Sequence, residues 1–310
     1  MPNQAERLIG RLRLPMPAID VLALDLDGTL LGPNERVSDA NIAAVQRARD
    51  AGITVLVCTG RGMRESVRAL TAIDQRDPIV VAGGSIIADP VSGKTLHRFT
   101  MDEQIVHDAT ELFHEAQSAS LIMKDRAEID YDYLVAHSEH GHPMHPITDW
   151  WIEDNKLTVR SVEHLVDDEH PELTVRLGMC AEGSRSGPVA RKVSERFGDK
   201  VWVYDFPCVM PGDHTGEIVH ILELFAANTN KWTAIQWYLG QHNIDPARVA
   251  AIGDQVNDVP MMENAGVGIA MGNAIDAVKS HARYVTESNS NDGVAKAIDR
   301  LLAGEFSCSH

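Results

Sequence analysis

The sequence predicts an α/β fold: a Rossmann-like, doubly wound, mainly parallel sheet with an inserted α+β domain. Two observations lead to this prediction. Short apolar runs alternate with stretches of helical length near both ends of the chain. The middle has longer polar stretches and most of the histidines. We therefore expect residues 20–87 and 213–310 to form the core and residues 88–212 to form an inserted cap.

The first elements follow directly from the apolar runs. Val21–Leu24 is apolar and is followed at once by acidic and glycine residues, as expected for a strand buried on both faces. Ser38 or Asp39 can cap a helix that ends near residue 51. A strand over residues 53–57, a helix over residues 63–70 and a strand over residues 79–81 follow.

The C-terminal part repeats this alternation, whereas residues 1–19 lack the apolar run of a signal peptide. We expect residues 1–19 to be a mobile extension outside the fold. The predicted C-terminal elements are helices over residues 232–241, 259–265, 274–280 and 293–302 and strands over residues 249–252, 267–270 and 283–285.

Composition restricts the possible partners. The formal net charge is −17, from 28 Lys+Arg and 45 Asp+Glu, which argues against nucleic acid and anionic membranes. A small phosphorylated metabolite stays compatible, because a few local cations can dominate one pocket. The cysteines lack CxxC spacing, and no apolar run could span a bilayer, so we expect a cytoplasmic monomer or homodimer. The cysteines are Cys58, Cys180, Cys208 and Cys308.

Polar residues stand where three of the predicted strands end, which is where open parallel sheets bind ligands. Asp25 and Asp27 follow the first strand, Thr59 follows the second, and Asp254 and Asp258 follow a C-terminal one. Crowded carboxylates repel one another and therefore call for a cation. Oxygen ligands without His or Cys favour Mg²⁺, which in turn favours a phosphate.

The pair Asp25 and Asp27 can also do covalent chemistry. A carboxylate can act as a nucleophile and form an aspartyl-phosphate. A second carboxyl two residues on can protonate the leaving oxygen and later take a proton from water.

Four motifs, in order, carry a more specific resemblance. They resemble those of haloacid-dehalogenase (HAD) superfamily phosphatases, in the Cof-type branch with a large inserted α/β cap. The resemblance covers residues 20–87 and 213–302. The motifs are Asp25-Leu26-Asp27-Gly28-Thr29-Leu30, Cys58-Thr59-Gly60-Arg61, Asn228-Thr229-Asn230-Lys231 and Gly253-Asp254-Gln255-Val256-Asn257-Asp258.

The resemblance implies a metal centre and a nucleophile. Asp25 would be the nucleophile and a Mg²⁺ ligand, and Asp27 would be the general acid/base. The backbone carbonyl of Asp27 and the side chain of Asp254 would complete the protein ligands. Asp258 would support the metal shell or orient Lys231.

The resemblance also implies the phosphate contacts. Thr59, beside Gly60, would hydrogen-bond the transferring phosphoryl group, and Lys231 would neutralise its charge. Asn257 would contact phosphate or a metal-bound water. The expected reaction is hydrolysis of a small phosphomonoester, with a sugar phosphate as the best guess.

Two positions depart from the family pattern. The family often has Asn-Gly after the third strand, where this chain has Gly83-Gly84, so the hydrogen bond of that amide is missing. The residue after the motif Lys is often Gly, where this chain has Trp232. The indole can narrow access to the site or pack in the core.

Several alternatives stay open. A phosphotransferase or phosphomutase would share the same core, and a regulatory phosphate-binding protein would keep the site without turnover. Trp150 or Trp151 could stack on a ligand or pack in the core. A histidine cluster in the predicted cap could bind a metal or lie in a loop broken by Gly and Pro. It comprises His137, His140, His142 and His145.

Overall fold

The computed structural model of the protein describes residues 19–138, 140–208 and 216–306. The predicted N-terminal extension lies outside these residues, except for residue 19. Within the described ranges, no helix is both long and apolar enough to cross a bilayer.

The chain divides into two compact units, which are described separately. The first comprises residues 1–55 and 239–310, and the second comprises residues 56–238. The strands are β1 (Val21–Leu24), β2 (Thr54–Cys58), β3 (Ile79–Val81), β4 (Ile86–Ala88), β5 (Thr95–Arg98), β6 (Ser120–Lys124), β7 (Tyr133–Ala136), β8 (Val159–Val162), β9 (Thr174–Glu182), β10 (Val201–Pro207), β11 (Val219–Ala226), β12 (Val249–Gly253), β13 (Val267–Ala270) and β14 (Tyr284–Val285). The helices are α1 (Asp39–Asp50), α2 (Met63–Ala72), α3 (Glu103–Glu115), α4 (Pro146–Asp154), α5 (Gly183–Phe197), α6 (Lys231–His242), α7 (Val259–Asn264), α8 (Asp276–Lys279) and α9 (Gly293–Leu302).

The first unit is built on parallel strands in the order β14-β13-β12-β1. Val21 lies opposite Val249, and both strands are buried along their whole length. Continuous burial explains why these strands are apolar runs rather than alternating patterns. Helix α1 begins where predicted, because the Ser38 side chain accepts a hydrogen bond from the Asn41 N–H at 3.2 Å.

The second unit contains two groups of strands. Most of β2 lies in it and pairs with β3 in parallel, whereas β4 and β5 continue in antiparallel order. A separate six-stranded sheet has the order β10-β11-β9-β6-β7-β8, and β7 and β8 form its one parallel pair.

Helices α3 and α5 cover one face of the six-stranded sheet. Their side chains, such as Phe113 and Val193, pack with Ile122, Leu177 and Leu224 of the strands in one buried cluster. These apolar residues alternate with residues on the opposite face, because successive strand side chains point to opposite sides. The opposite face is therefore free to carry polar residues.

The predicted fold class is confirmed, with a mainly parallel α/β sheet and a second α+β layer. The predicted elements of the core all form, with ends shifted by one or two residues. Strand β11 joins the six-stranded sheet although it lies C-terminal to residue 212. The limits assigned to the cap from the sequence stay a prediction.

The cysteines of the described residues, Cys58, Cys180 and Cys208, are free thiols. Cys180 and Cys208 nevertheless bring their sulfur atoms to 3.7 Å. Cys180 lies in β9, and Cys208 directly follows β10. The fourth cysteine, Cys308, lies outside the described residues.

Candidate active site

Asp25 stands where β1 ends in the first unit. Its backbone N–H donates to the carbonyl of Ile252 at 3.1 Å, and its carbonyl accepts from the Leu30 N–H at 3.2 Å. The side chain is 4% exposed. The backbone therefore holds a buried carboxylate at the sheet edge, as the sequence predicts.

Asp27 lies in the tight turn over Leu26–Leu30 and is exposed. Gly28 follows with φ +74°, in the left-handed region that favours glycine. A Cβ at Gly28 would lie 2.2 Å from Oδ2 of Asp254, so the backbone of the turn packs directly against that carboxylate. Asp25 and Asp27 thus have different environments, one buried and one accessible.

Asp254 follows β12 and is held by hydrogen bonds from several sides. The Thr29 hydroxyl donates to Asp254 Oδ1 at 3.0 Å. Asp258 Oδ2 accepts the backbone N–H groups of Asp254 and Gln255, at 2.9 and 3.0 Å. Asp258 therefore stabilises the loop that carries Asp254, and its role in supporting a metal centre stays a prediction.

Asp25, Asp254 and Asp258 come together as a group of buried carboxylates. Each offers one oxygen within 4.8 Å of the others. Like charges held this close out of water repel, so the group is compatible with a bound cation. An all-oxygen set with buried carboxylates fits Mg²⁺. The side chain of Asp27 is not part of this group, and the sequence assigned to it only a carbonyl ligand.

Asn273 is a neighbour of this group that sequence reasoning did not single out. Its Nδ2 donates to the Gly28 carbonyl at 2.8 Å and lies 3.5 Å from Asp254 Oδ2. Its Oδ1 accepts from the Asn289 N–H at 2.9 Å. Asn273 follows the end of β13, so the strand-end rule could have found it.

Asn257 lies on the short turn after Asp254. Its Oδ1 atom is buried and, among the described residues, has no hydrogen-bond partner. A buried amide oxygen without a partner is costly, and a donor at this position would remove that cost. The contact of Asn257 with phosphate or a metal-bound water stays a prediction.

Thr59 and Gly60 form the corresponding strand end in the second unit. Thr59 is fully buried, and its Oγ1 accepts a hydrogen bond from the Arg61 N–H at 3.1 Å. Its carbonyl accepts from the Gly83 N–H at 3.0 Å. Because Oγ1 is already an acceptor, its own hydrogen can be donated elsewhere. Arg61 itself reaches the Glu65 carbonyl at 3.4 Å.

Lys231 is the first residue of α6, as its predicted position at a helix start requires. Its side chain is 1% exposed, which is unusual for a lysine. Gly84 permits the close approach of this helix: a Cβ there would lie 2.2 Å from the Asn230 carbonyl oxygen. The sequence Gly83-Gly84 is thus explained in part by packing.

The structure also explains the two departures from the family pattern. A Cβ at Gly83 would lie 2.7 Å from Cε1 of Phe225, so the ring takes the space that an asparagine side chain would need. Phe225 replaces the missing amide by an apolar contact. Trp232 is 5% exposed and therefore packs in the core, one of the two outcomes that the sequence left open.

A buried group of charged and phenolic side chains lies beside the Thr59 loop. Arg176 donates to the Gly60 carbonyl at 2.8 Å and to the Tyr133 hydroxyl at 2.6 Å, and pairs with Glu223 at 2.8 Å. Tyr133 in turn lies 3.5 Å from Glu65. Burial raises the pKa of both Glu65 and Glu223, and the Arg176 guanidinium opposes that rise. Sequence reasoning missed this group, although Arg176 is a charge between the apolar residues Val175 and Leu177 of β9.

Two histidines of the predicted cap make local hydrogen bonds. His145 caps α4, because its Nδ1 accepts from the Ile147 N–H at 3.2 Å. His137 Nδ1 lies 2.9 Å from the His142 carbonyl oxygen. Over the described ranges, only the three aspartates above form a group of three or more potential metal ligands.

The two neighbouring tryptophans differ in exposure. Trp150 is 39% exposed. Trp151 is half-buried and meets the Tyr133 ring edge-on at 5.4 Å. Trp151 therefore packs within the unit, and Trp150 has the more accessible ring.

The chain is similar in sequence to proteins named as phosphatases. The chain is 28% identical over 302 residues to the 5-amino-6-(5-phospho-D-ribitylamino)uracil phosphatase YwtE of Bacillus subtilis, covering 92% of this chain and 99% of that protein. It is 26% identical over 287 residues to the pyridoxal phosphate phosphatase YbhA of Escherichia coli, covering 90% and 97%. These relatives confirm the predicted Cof-type branch and class of enzyme, a phosphoric monoester hydrolase.

The fold comparison agrees with the sequence comparison. A haloacid dehalogenase-like hydrolase from Bacteroides thetaiotaomicron has a TM-score of 0.74 at 23% identity, covering 91% of this chain and 99% of that one. A family model described as haloacid dehalogenase-like hydrolase matches residues 22–298. The chain belongs to the haloacid dehalogenase-like hydrolase family.

Proposed function

We propose that the protein is a Mg²⁺-dependent phosphatase that hydrolyses a small phosphomonoester through an aspartyl-phosphate on Asp25. The observation that carries this proposal is the group of buried carboxylates, Asp25, Asp254 and Asp258, within 4.8 Å of one another. A buried cluster of this kind needs a cation, and the cation it fits pairs with phosphate.

The side chains of Asp25 and Asp254, with the backbone carbonyl of Asp27, would hold the ion. When bound, Mg²⁺ would neutralise charge on the phosphoryl oxygens. The hydrogen bonds that Asp258 and Thr29 make keep the Asp254 carboxylate oriented toward the group. This orientation is the contribution of the protein to the metal centre.

Asp25 then acts as the nucleophile. One carboxylate oxygen forms a bond to phosphorus, and the bond between phosphorus and the ester oxygen breaks. Asp27 gives its proton to that ester oxygen, and the alcohol leaves. Asp27 next takes a proton from water, the water oxygen attacks phosphorus, and inorganic phosphate leaves with Asp25 restored. The exposed position of Asp27 suits this exchange with water.

The remaining residues bind the phosphoryl group. We propose that Thr59 donates its hydroxyl hydrogen to a phosphoryl oxygen, beside Gly60. Lys231 would neutralise phosphoryl charge from the start of α6. Asn257 would contact phosphate or a bound water, which would give its buried Oδ1 a partner.

The substrate is proposed to be a sugar phosphate or a similar small phosphorylated metabolite. Relatives are named as phosphatases of 5-amino-6-(5-phospho-D-ribitylamino)uracil and of pyridoxal phosphate. A phosphatase of a small metabolite needs neither a nucleic acid nor a membrane partner, and we propose a cytoplasmic monomer or homodimer. Closure of the cap would exclude water and select the substrate.

Two other functions use the same residues. A phosphotransferase or phosphomutase would pass the phosphoryl group of Asp25 to a second sugar phosphate. A non-catalytic regulator would bind phosphate without turnover, but binding alone gives no reason for an acid/base residue, Asp27, two positions after Asp25. Phosphate release in water, with and without an added sugar phosphate acceptor, separates the three functions.

The test is hydrolysis of an aryl phosphate by purified protein. Wild type with Mg²⁺ should release phosphate, and excess chelator should stop the release. Asp25→Asn should abolish turnover while leaving the fold intact, whereas Asp50→Asn, at an exposed aspartate on α1, should leave turnover unchanged. Asp27→Asn should slow both formation and breakdown of the phospho-enzyme. Near wild-type turnover by Asp25→Asn would overturn the assignment of the nucleophile.

A further inference from the structure

Arg176 lies on the face of the six-stranded sheet that α3 and α5 do not cover. Leu177, the next residue along β9, packs in the cluster with α3 and α5. Because strand side chains alternate between faces, Arg176 and Gly178 lie on the opposite face. Glu223 on β11 lies opposite Gly178 and is therefore a diagonal neighbour of Arg176. Gly178 has no side chain to separate the two charges.

Arg176 is held on several sides. Its side chain is 7% exposed, and its nitrogens contact Glu223 at 2.8 Å, the Tyr133 hydroxyl at 2.6 Å and the Gly60 carbonyl at 2.8 Å. Planar, fixed donors of this kind orient their acceptors more strictly than a flexible ammonium does. The guanidinium of Arg176 on β9 thus joins β7 and β11 of the six-stranded sheet to the loop that follows β2.

The acceptor on Gly60 makes this contact relevant to Thr59. The Gly60 carbonyl and the Arg61 N–H belong to one planar peptide group, so they point in opposite directions. Arg176 donates to that carbonyl, and the Arg61 N–H donates to Thr59 Oγ1 at 3.1 Å. Because the peptide is rigid, the direction of the carbonyl fixes the direction of the N–H, and the N–H fixes the Thr59 hydroxyl.

We propose that Arg176 is a positioning residue that orients the Thr59 hydroxyl toward the phosphoryl group through the Gly60–Arg61 peptide. This rests on the proposed function, in which Thr59 binds the phosphoryl group. When Oγ1 accepts from Arg61, its own hydrogen is directed away from the loop and is available for donation. A small rotation of the peptide would lose that direction, and misplaced groups in active sites cost large factors in rate.

A second set of contacts anchors the loop on its other side. Glu65 accepts from the Gly62 N–H at 2.6 Å and lies 3.5 Å from the Tyr133 hydroxyl. Tyr133 therefore stands between Arg176 and Glu65, so the loop is attached to the sheet at both Gly60 and Gly62.

The decisive experiment is a double-mutant cycle on kcat for an aryl phosphate with Mg²⁺. Arg176→Lys keeps the charge but loses the planar fork, and Thr59→Val keeps the shape but loses the hydroxyl. We expect Arg176→Lys to lower kcat at least about tenfold in wild type and no more than about twofold in the Thr59→Val background. Arg160→Lys, on β8 of the same sheet and in a surface ion pair, is the matched control and should leave kcat unchanged.

The cycle separates positioning from a purely structural role. Equal fold-losses in both backgrounds would show that Arg176 does not act through Thr59 and would overturn the inference. If Arg176→Lys does not fold, Tyr133→Phe takes its place in the cycle, because it keeps the ring and removes one acceptor of Arg176. We then expect a loss of about threefold or more that disappears in the Thr59→Val background.

Phosphate binding gives a readout that does not need turnover. The dissociation constant of inorganic phosphate, measured by calorimetry with Mg²⁺, should rise at least about fivefold in Arg176→Lys and stay unchanged in Arg160→Lys. An unchanged constant in Arg176→Lys would overturn the inference while leaving the proposed function intact. A wild type that neither binds phosphate nor hydrolyses the ester would overturn the proposed function, and the inference with it.

Discussion

Gly28→Ala tests the geometry of the carboxylate group directly. The new Cβ would lie 2.2 Å from Oδ2, 2.7 Å from Cγ and 2.9 Å from Oδ1 of Asp254, so the carboxylate must move. It cannot retreat freely, because the Thr29 hydroxyl holds Oδ1 at 3.0 Å. The left-handed backbone at φ +74° adds about 1–2 kcal/mol for a residue with a Cβ.

We expect displacement of the Asp254 carboxylate to raise the apparent dissociation constant for Mg²⁺ at least about tenfold. A tenfold rise corresponds to a loss of about 1.4 kcal/mol of binding free energy. The assay is a Mg²⁺ titration of aryl phosphate hydrolysis, with thermal unfolding measured in parallel. Calorimetry of Mg²⁺ binding gives the same constant without turnover.

Gly52→Ala is the matched control for this substitution. Gly52 has φ +85°, and a Cβ there would meet nothing within 4 Å. It should therefore lose about 1 kcal/mol of stability from backbone conformation and keep the wild-type response to Mg²⁺. A Gly28→Ala variant whose Mg²⁺ titration matches that of Gly52→Ala would refute the reasoning.

Two further predictions concern packing in the second unit. Gly83→Asn should lower the free energy of unfolding by about 1–3 kcal/mol, because its Cβ would lie 2.7 Å from the buried Phe225 ring. Gly93→Asn, with φ +72° and nothing within 4 Å, should change it by less than about 0.5 kcal/mol. Denaturant unfolding measures both, and equal losses would contradict the overlap. Lys124→Met should cost about 3–5 kcal/mol by the same assay, because the nearly buried Asp168 carboxylate would lose its ammonium partner. Lys124→Met combined with Asp168→Asn should recover part of that loss, and a double variant less stable than Lys124→Met would contradict this account.

The order of the core elements could be predicted from local patterns alone. Val21–Leu24 and Val249–Gly253 are apolar because parallel strands are covered on both faces, and both end at acidic residues. Parallel strands present their carboxyl ends at one edge, so the group that Asp25 and Asp254 form could be predicted before its geometry was known.

Other features depend on residues that are distant in the sequence. Phe225 fills the space beside Gly83, and no local pattern pairs a ring on β11 with a glycine after β3. Asn273 reaches the Gly28 carbonyl across 245 positions. These contacts arise from packing, and packing is decided by volume and register rather than by periodicity.

The strand-end carboxylates, with their order and spacing, can be read from the chain alone. The way in which these groups are held depends on contacts between distant segments. Tyr133 and Glu223 lie 43 and 47 positions from Arg176, yet both contact its guanidinium, which also donates to the Gly60 carbonyl, because strand register places the three residues on one face. Local periodicity indicates which face a residue takes within its strand, but only strand pairing determines which residues share that face.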